Sequence, residues 1–193
     1  MPKKIKVAFL VSQFPTISET FILNQITGLL DLGQEVTIFS KFVGDQKTIH
    51  DEVKKYHLLE KTIYFGMPKN LFCRFLKGLF VFFRLLFISP RIAFKTINFI
   101  KYQEQALSLT LLFSSYALLM LKKEKSFDVV HAHFGPNGKL AIFLKDLGLI
   151  DGKVITAFHG FDISAYLKSH SRNTYDYLFK NGDLFLPISD RWR

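Results

Sequence analysis

The sequence predicts an α/β protein whose parallel sheet is doubly wound and carries a helical amphipathic insertion. Short apolar runs at residues 5–11 and 153–158 lack the alternation of half-exposed strands, as is typical of parallel strands buried on both faces. Apolar residues at helical spacing over 22–30 predict a helix that ends at Gly33, and an apolar run at 36–39 predicts the next strand. With the strand at 5–11 these elements form a βαβ unit. A basic, phenylalanine-rich stretch later interrupts this α/β pattern, which indicates the insertion.

The elements follow in order from the same signals. Residues 12–15 are expected to form a loop after the first strand, and Thr16-x-x-Glu19 matches a capping box that starts the first helix. Pro90 is expected to divide the insertion, residues 69–104, into two helices. The remaining expected strands are 62–65, 128–130 and 183–188, and the remaining expected helices are 106–123, 139–147 and 175–180.

Composition limits the possible partners and compartment. A chain of 193 residues with 49% hydrophobic content is long enough for one domain with a core and is not disordered. The net charge of +10 indicates an anionic partner. Nucleic-acid readers space their aromatic residues, whereas many of the 22 phenylalanines are contiguous here, so no nucleic acid is expected. The single Cys73 predicts a reducing, cytoplasmic compartment.

The insertion predicts a helix that lies on a membrane surface. Its longest uncharged run is about six residues, far below the roughly 18 that span a bilayer. Three cations fall within an arc of about 80° on an otherwise apolar helix, which suits an anionic lipid interface. A buried helix with snorkelling cations, or a protein interface, is the alternative. The expected membrane contacts are Arg74, Lys77, Phe80, Phe83, Arg84 and Phe87.

Polar residues follow four of the expected strands. They are Ser12-Gln13, His131-Ala132-His133, His159-Gly160 and Ser189-Asp190. Because the carboxyl ends of parallel strands meet at one edge of a sheet, these residues are expected to line one cleft.

Within that cleft, His133 is the strongest candidate for chemistry. The amides of residues 135–138 open a helix that could hold a phosphate, which makes Gly135 and Asn137 candidate ligand contacts. His159 precedes Gly160, where a ligand could approach the backbone closely, and Asp162 is either a helix cap or a ligand contact. The absence of G-x-G-x-x-G argues against NAD and FAD, so no cofactor is expected.

A zinc site is the competing interpretation of the histidines. H-x-H with a distant histidine and aspartate can ligate zinc, as in a metal-dependent hydrolase. The sequence has no cysteine and no carboxylate triad near these histidines to complete the set, so no metal is expected.

Five motifs in order resemble a known family. They are FPTISETFI at 14–22, G-x-x-V at 33–36, DVVHAHF at 128–134, TAFHGFD at 156–162 and LPISD at 186–190. In these motifs the chain is similar to the N-terminal half of a GT-B glycosyltransferase of family 4, the group 1 retaining transferases. SETFI and HAHFGPNG are similar to the exopolysaccharide and colanic-acid-type members.

The resemblance implies a single Rossmann-like, acceptor-side domain over residues 1–193, with residues 69–104 facing the membrane. It implies a nucleotide-sugar donor and a glycan or lipid-linked acceptor in polysaccharide biosynthesis. By resemblance His133 lies near the reaction centre, His159 lies beside it, and the loop from Gln13 through Ser18 to Glu19 touches acceptor or donor phosphate. The resemblance and the basic insertion together imply a peripheral location on the inner face of the plasma membrane.

The chain departs from the family in lacking the C-terminal donor half with its paired-glutamate E-x7-E motif. We therefore expect hexose transfer only with a separate C-terminal half, and no turnover by this chain alone. The alternative is a non-enzymatic, membrane-peripheral α/β binding module.

Overall fold

The computed structural model describes residues 4–121, 126–171 and 173–189, and the strands in these residues form one fully parallel sheet. Its strand order is β3-β2-β1-β4-β5-β6, the order of a Rossmann-like doubly wound sheet. The predicted fold class is therefore confirmed. The strands are β1 (Lys6–Phe14), β2 (Glu35–Val43), β3 (Thr62–Tyr64), β4 (Val129–His133), β5 (Lys153–Phe158) and β6 (Leu184–Pro187).

Helices cover both faces of the sheet. Buried side chains of the first two helices pack on one face, and those of the insertion and of the helix after β4 pack on the other. The helices are α1 (Thr20–Asp31), α2 (Asp51–Lys55), α3 (Leu71–Ile88), α4 (Pro90–Thr96), α5 (Phe99–Leu107), α6 (Thr110–Met120), α7 (Gly135–Asp146), α8 (Ala165–Lys168) and α9 (Asp176–Asn181).

Strand β1 is longer than the sequence indicated. Residues 12–14 were expected in a loop, but Gln13 pairs with Phe42 and Phe14 pairs with Val43 on β2. The expectation is wrong because the neighbouring strand continues alongside and satisfies the backbone of these residues. Gln13 therefore lies on a strand at the carboxyl edge.

The start of α1 also differs from the expected capping box. The Thr16 hydroxyl donates to Glu19 Oε2 at 3.0 Å, but neither side chain caps a backbone amide of the helix. The Glu19 carbonyl instead accepts from the amides of Ile22 and Leu23, so the helix begins at Thr20. Residues 16–18 form a bend before it, which removes Thr16 from the capping position.

The insertion breaks where Pro90 predicted and again beyond it. Helix α3 ends at Ile88 and α4 begins at Pro90, which occupies the first helical turn. A further break precedes α5, and Leu109 enters the left-handed region at φ 59° before α6. The single helix expected over residues 106–123 is thus the end of α5 followed by α6, and residues 122–125 lie outside the described part.

Helix α3 exposes its phenylalanines. Phe80, Phe83 and Phe87 are all exposed, Phe87 to 88%. Val81 and Leu85, on the opposite side, are buried in the core. In the residues that the structure describes, no helix is both long enough and apolar enough to cross a membrane.

Two of the three cations expected to contact lipid bind the protein itself. Arg74 Nε donates to the Pro68 carbonyl at 2.8 Å, and Lys77 Nζ donates to the Gly66 carbonyl at 2.8 Å. Their hydrogen bonds anchor α3 to the segment after β3, a role that the helical spacing did not indicate. Arg84 is exposed and lies over the Phe80 ring at 5.8 Å.

The order of the strands reverses between β1 and β4. The chain winds from β1 outward to β3 in one direction and from β4 outward to β6 in the other. Ligands of open α/β sheets bind in the crevice at such a switch point, beyond the carboxyl ends of the strands. Gln13 and His133 lie at this position, at the ends of the two central strands.

Candidate functional site

Three histidine rings stack at the carboxyl ends of β4 and β5. His131 and His133 point to the same face of the sheet, as their spacing predicts, with ring centroids 4.5 Å apart. His133 and His159 are also stacked, at 5.2 Å. The meeting of parallel strand ends thus brings His133 and His159 together across 26 residues of sequence.

His133 and His159 form a direct hydrogen bond. His133 Nδ1 lies 3.0 Å from His159 Nε2, so one ring donates to the other. His133 Nε2 is buried and has no hydrogen-bond partner within the described residues. His159 is only half-buried, and its Nδ1 makes no hydrogen bond in the same part of the chain. The pair therefore presents two unused ring nitrogens at the switch point.

Phenylalanine rings pack against the histidine pair. The Phe21 ring, from α1, lies 4.5 Å from His159 and 5.9 Å from His133, while Phe9 stacks on the opposite side of His133 at 5.8 Å. His133 is fully buried, so His159 is the ring through which the pair reaches the cleft. The sequence-based prediction of the site included neither Phe9 nor Phe21, although Phe21 belongs to the FPTISETFI motif.

Burial keeps these rings neutral. Desolvation, followed by the neighbouring histidines, lowers the pKa of His133 to about 3. Desolvation and then His159 lower the pKa of His131 to about 4. Desolvation also lowers the pKa of His159, against the opposing charge of Asp162. At neutral pH each ring therefore carries one N–H, and either ring can be the donor in the hydrogen bond between them.

The neutral histidines predict a loss of stability in acid. Unfolded histidine binds a proton below about pH 6.5, whereas buried His131 does not until about pH 4. The neutral histidines thus contribute their full stabilisation above pH 6.5. On acidification the free energy of unfolding falls by about 1.4 kcal/mol per pH unit for each such histidine. We expect His131→Phe, which keeps an aromatic ring against Phe9 and His133, to reduce this slope by about one histidine's share. Denaturant unfolding at pH 7, 6 and 5 measures it, and parallel profiles for the two proteins would contradict the assignment.

Asp162 connects the His159 loop to the start of α7. Its Oδ1 accepts from the His159 amide at 2.9 Å, and its Oδ2 accepts from the Gly135 amide at 2.9 Å. The carboxylate is fully buried, and Tyr175 donates its hydroxyl to the Asp162 carbonyl at 2.9 Å. Asp162 therefore caps the helix after β4 and holds His159, instead of facing a ligand.

The start of α7 is not the open phosphate site that the sequence suggested. The Gly135 amide is taken by Asp162, Pro136 has no amide hydrogen, and the amides of Asn137 and Gly138 donate to the Phe134 carbonyl. The expectation is corrected because a carboxylate of the protein already satisfies the positive end of this helix. A Cβ at Gly135 would lie 2.5 Å from Tyr175 Cζ, so the glycine serves packing.

Asn137 also supports the site from within. Its Nδ2 donates to the His133 carbonyl at 2.7 Å and to Ser12 Oγ at 3.1 Å. Because the side chain is fully buried and both hydrogen bonds stay within the protein, it fixes the end of β4 against β1. Gly160, by contrast, lies in the half-buried loop after His159 with φ 85°, a conformation that favours glycine.

A groove of about 320 Å³ opens beside the end of β1. Gln13 and Ser18 line it, and Lys69 donates to Gln13 Oε1 at 3.2 Å. Glu19 does not line the groove, and desolvation raises the pKa of its half-buried carboxyl while the Thr16 hydroxyl lowers it. The loop residues expected to touch a ligand are thus divided, with Gln13 and Ser18 in the groove and Glu19 at the start of α1.

The fourth expected strand end is described only in part. Ser189 is exposed after β6, and Asp190 lies outside the described residues. The structure describes no group of three or more histidine, cysteine, aspartate or glutamate side chains arranged to hold a metal ion within residues 4–121, 126–171 and 173–189.

Sequence reasoning missed a buried charge cluster near the site. Lys139 on α7 is 1% exposed, and its Nζ lies 3.2 Å from Glu104 Oε1. Tyr166 donates its hydroxyl to Glu104 Oε2, and His170 Nε2 lies 3.2 Å from that same oxygen. Each partner lies 35 or more residues from Glu104 in the sequence, so no local pattern indicated these contacts. The cluster joins the insertion to α7, the helix that follows His133.

Lys41 at the end of β2 was also missed. Desolvation lowers the pKa of its ammonium to about 8, against the charge of Glu104. It has no hydrogen-bond partner in the part of the chain that the structure describes. A single lysine within an apolar strand does not indicate from the sequence that its ammonium is desolvated.

Three known proteins similar to this chain are named as biosynthesis glycosyltransferases. It is 39% identical over 97% of its length to a putative colanic acid biosynthesis glycosyltransferase, WcaL, of Salmonella typhimurium, and 37% identical over the same share to WcaL of Escherichia coli. It is 35% identical over 98% of its length to the amylovoran biosynthesis glycosyltransferase AmsK of Erwinia amylovora. These relatives confirm the resemblance found in the motifs. No protein-family model matches the chain.

The chain spans about half the length of these curated relatives, since the match covers 46% of each. This share is consistent with an N-terminal half of proteins of that length.

Proposed function

We propose that this chain is the acceptor-side half of a glycosyltransferase in polysaccharide biosynthesis. The complete enzyme would transfer a hexose from a nucleotide-sugar to a membrane-associated glycan or lipid acceptor. The observation that carries the proposal is the neutral His133–His159 pair at the switch point, in a chain similar to three exopolysaccharide glycosyltransferases.

The histidine pair can hydrogen-bond a sugar hydroxyl at the reaction centre. The tautomer of the pair sets the role of His159 Nδ1, which makes no hydrogen bond within the described residues. It donates to a hydroxyl when His133 Nδ1–H donates to His159 Nε2, and it accepts from a hydroxyl when His159 Nε2–H donates to His133 Nδ1. Phe21 limits water beside His159, which reduces hydrolysis of the donor and strengthens polar contacts. His133 acts through His159 as a positioning residue, and Asn137 and Asp162 hold the pair.

The groove beside β1 is the proposed place for the acceptor or a phosphate. Gln13 and Ser18 offer an amide and a hydroxyl there, and Lys69 adds a positive charge at Gln13. Glu19 at the start of α1 and Gly160 after β5 are the other loop residues that we assign to substrate contact, and neither lines the groove. A leaving diphosphate requires positive groups or amide donors aimed at it. Because the amides of α7 are already used, we place those groups in the donor half and expect this chain alone not to turn over.

A transfer assay tests the proposal. Membranes containing acceptor are incubated with a radiolabelled nucleotide-sugar and either this chain alone or this chain joined to the remaining 54% of the E. coli relative. We expect transfer only from the joined protein. If a folded joined protein binds membranes but transfers no sugar from any donor tested, the non-enzymatic binding module replaces the proposal.

The proposed membrane attachment is peripheral, on the inner face of the plasma membrane. The exposed face of α3 to α5 carries large apolar side chains, and such patches mark interaction sites. No aspartate or glutamate occurs between Glu60 and Glu104, whereas eight lysines and arginines do. An exposed aromatic face on a stretch that carries cations and no acidic residue from 61 to 103 suits an anionic lipid surface.

We expect Arg84→Glu with Arg91→Glu to reduce flotation with phosphatidylglycerol vesicles. Both cations are exposed and have no hydrogen-bond partner in the described residues, and each contributes about 1 kcal/mol near an anionic surface, so reversal should weaken binding at least about 30-fold. Arg74 and Lys77 are avoided because they bind backbone carbonyls.

The matched control is Lys54→Glu with Lys180→Glu, which changes net charge equally on exposed helices outside the insertion. An equal loss of flotation in the control would show that overall charge, and not the insertion, governs binding.

A further inference from the structure

An apolar slot lies beneath the exposed face of the insertion. It has a volume of about 230 Å³ and is lined only by apolar side chains and one glycine, from α3, the end of α4 and the start of α6. Phe75 and Leu79 are exposed at its opening, and Leu112 is buried at its base. A cavity of about 150 Å³ with such a lining stays dry and binds small hydrocarbons, so this one has room for a larger apolar group.

The backbone around the slot departs from ordinary helix packing. Leu109 takes a left-handed φ of 59° just before α6, which directs its side chain against α3 at Gly78. A Cβ at Gly78 would lie 2.6 Å from Leu109 Cδ1, so the absence of a side chain there allows the approach. A bulky residue is rarely found in the left-handed region unless its surroundings hold it there. The slot is thus framed by a defined loop and not left by loose packing.

The surroundings of the slot indicate its occupant. Its opening lies among exposed phenylalanines and leucines, so an apolar chain can enter without crossing a polar surface. The same stretch carries cations and no acidic residue from 61 to 103, which attracts a negatively charged headgroup. A soluble protein partner would not explain both the wholly apolar lining of the slot and the one-sided charge.

We propose that this slot binds one acyl chain of an anionic phospholipid, so that the insertion holds a lipid molecule within it as well as lying on the lipid surface. The inference rests on the proposed membrane attachment for the source of the lipid. Binding inside the slot and binding of the exposed face are nevertheless separate events, because different side chains carry them.

A soluble probe separates the two events. Cis-parinaric acid, a fluorescent fatty acid with one anionic headgroup, is titrated into the full chain. Two variants fill the slot independently: Leu79→Trp at the opening and Leu112→Phe at the base. Each should weaken probe binding at least about tenfold, the loss expected when about two methylene groups leave an apolar site. Phe87→Ala is the matched control, since Phe87 is exposed on α3 and does not line the slot.

Vesicle flotation distinguishes failure of this inference from failure of the attachment. We expect Leu79→Trp and Leu112→Phe to keep most of their flotation with phosphatidylglycerol vesicles, and Phe87→Ala to keep its affinity for the probe. Unchanged probe binding in a slot-filling variant with a native melting temperature would overturn the inference, as would an equal loss in Phe87→Ala. Displacement of the probe by farnesyl phosphate but not by oleate would also overturn it, in favour of an isoprenoid chain.

Discussion

Asp162→Ala is expected to lower the free energy of unfolding by about 3 kcal/mol or more. The substitution leaves the buried amides of Gly135 and His159 without their shared acceptor, and each unsatisfied buried group costs about 1–3 kcal/mol. For a chain of this length the loss corresponds to a fall in melting temperature of about 6–12 °C. The same change frees the loop that positions His159.

Asp162→Asn is the matched control for this prediction. The amide keeps the shape and one oxygen acceptor, but its NH₂ group meets an N–H donor, so only one of the two hydrogen bonds survives. We expect an intermediate loss of stability by thermal unfolding. If the alanine variant melts within about 2 °C of the original protein, the carboxylate does not hold the two segments together.

Glu104→Ala is expected to cost about 3 kcal/mol of stability. Lys139 would keep a buried ammonium with no anionic partner, and removal of one member of a buried ion pair typically costs about 3–5 kcal/mol. We take the lower end because Glu104 is partly exposed, its side chain to 26%, and water screens part of the interaction. Tyr166 and His170 lose their common acceptor in the same variant.

The double variant Lys139→Met with Glu104→Gln tests the cause. It removes both charges, leaves the volume nearly unchanged and retains an acceptor for Tyr166, so it should recover most of the stability lost in Glu104→Ala. Denaturant unfolding of the single and double variants measures the coupling. A double variant no more stable than Glu104→Ala would show that packing, and not charge pairing, dominates at this position.

Strand patterns and strand-end rules predicted the sheet and the meeting of the histidines. His133 and His159 lie at the ends of neighbouring parallel strands, so their 3.0 Å contact follows from topology alone. The same rule cannot show which side chains cover them. Phe21 comes from a helix on one face of the sheet, and its approach to His159 depends on where α1 begins. The capping-box pattern placed that start three residues too early.

The roles of the polar residues around the histidines depended on long-range contacts. Asp162 caps α7 across 27 residues, and its local pattern indicated only a cap or a ligand contact. Gly135 and Asn137 match an anion-binding helix start in sequence, but the carboxylate of Asp162 and the end of β4 use their polar groups. Arg74 and Lys77 fall on the basic stripe of α3, yet the carbonyls they bind precede the helix. The spacing of residues along a helix does not reveal hydrogen-bond partners that lie outside it.

The proposed function depends most on His159 as the ring that reaches the sugar. The direct measurement is the rate of hexose transfer by the joined protein when His159 or His133 is replaced by alanine or glutamine, with His170→Ala as a control for loss of an exposed histidine. We predict that His159→Ala lowers kcat at least about 100-fold at unchanged folding, because a positioned proton-transfer group contributes about that factor or more. His133→Gln, which can still hydrogen-bond His159, should retain more activity than His133→Ala. Transfer at the original rate by a folded protein lacking both ring side chains would contradict the account.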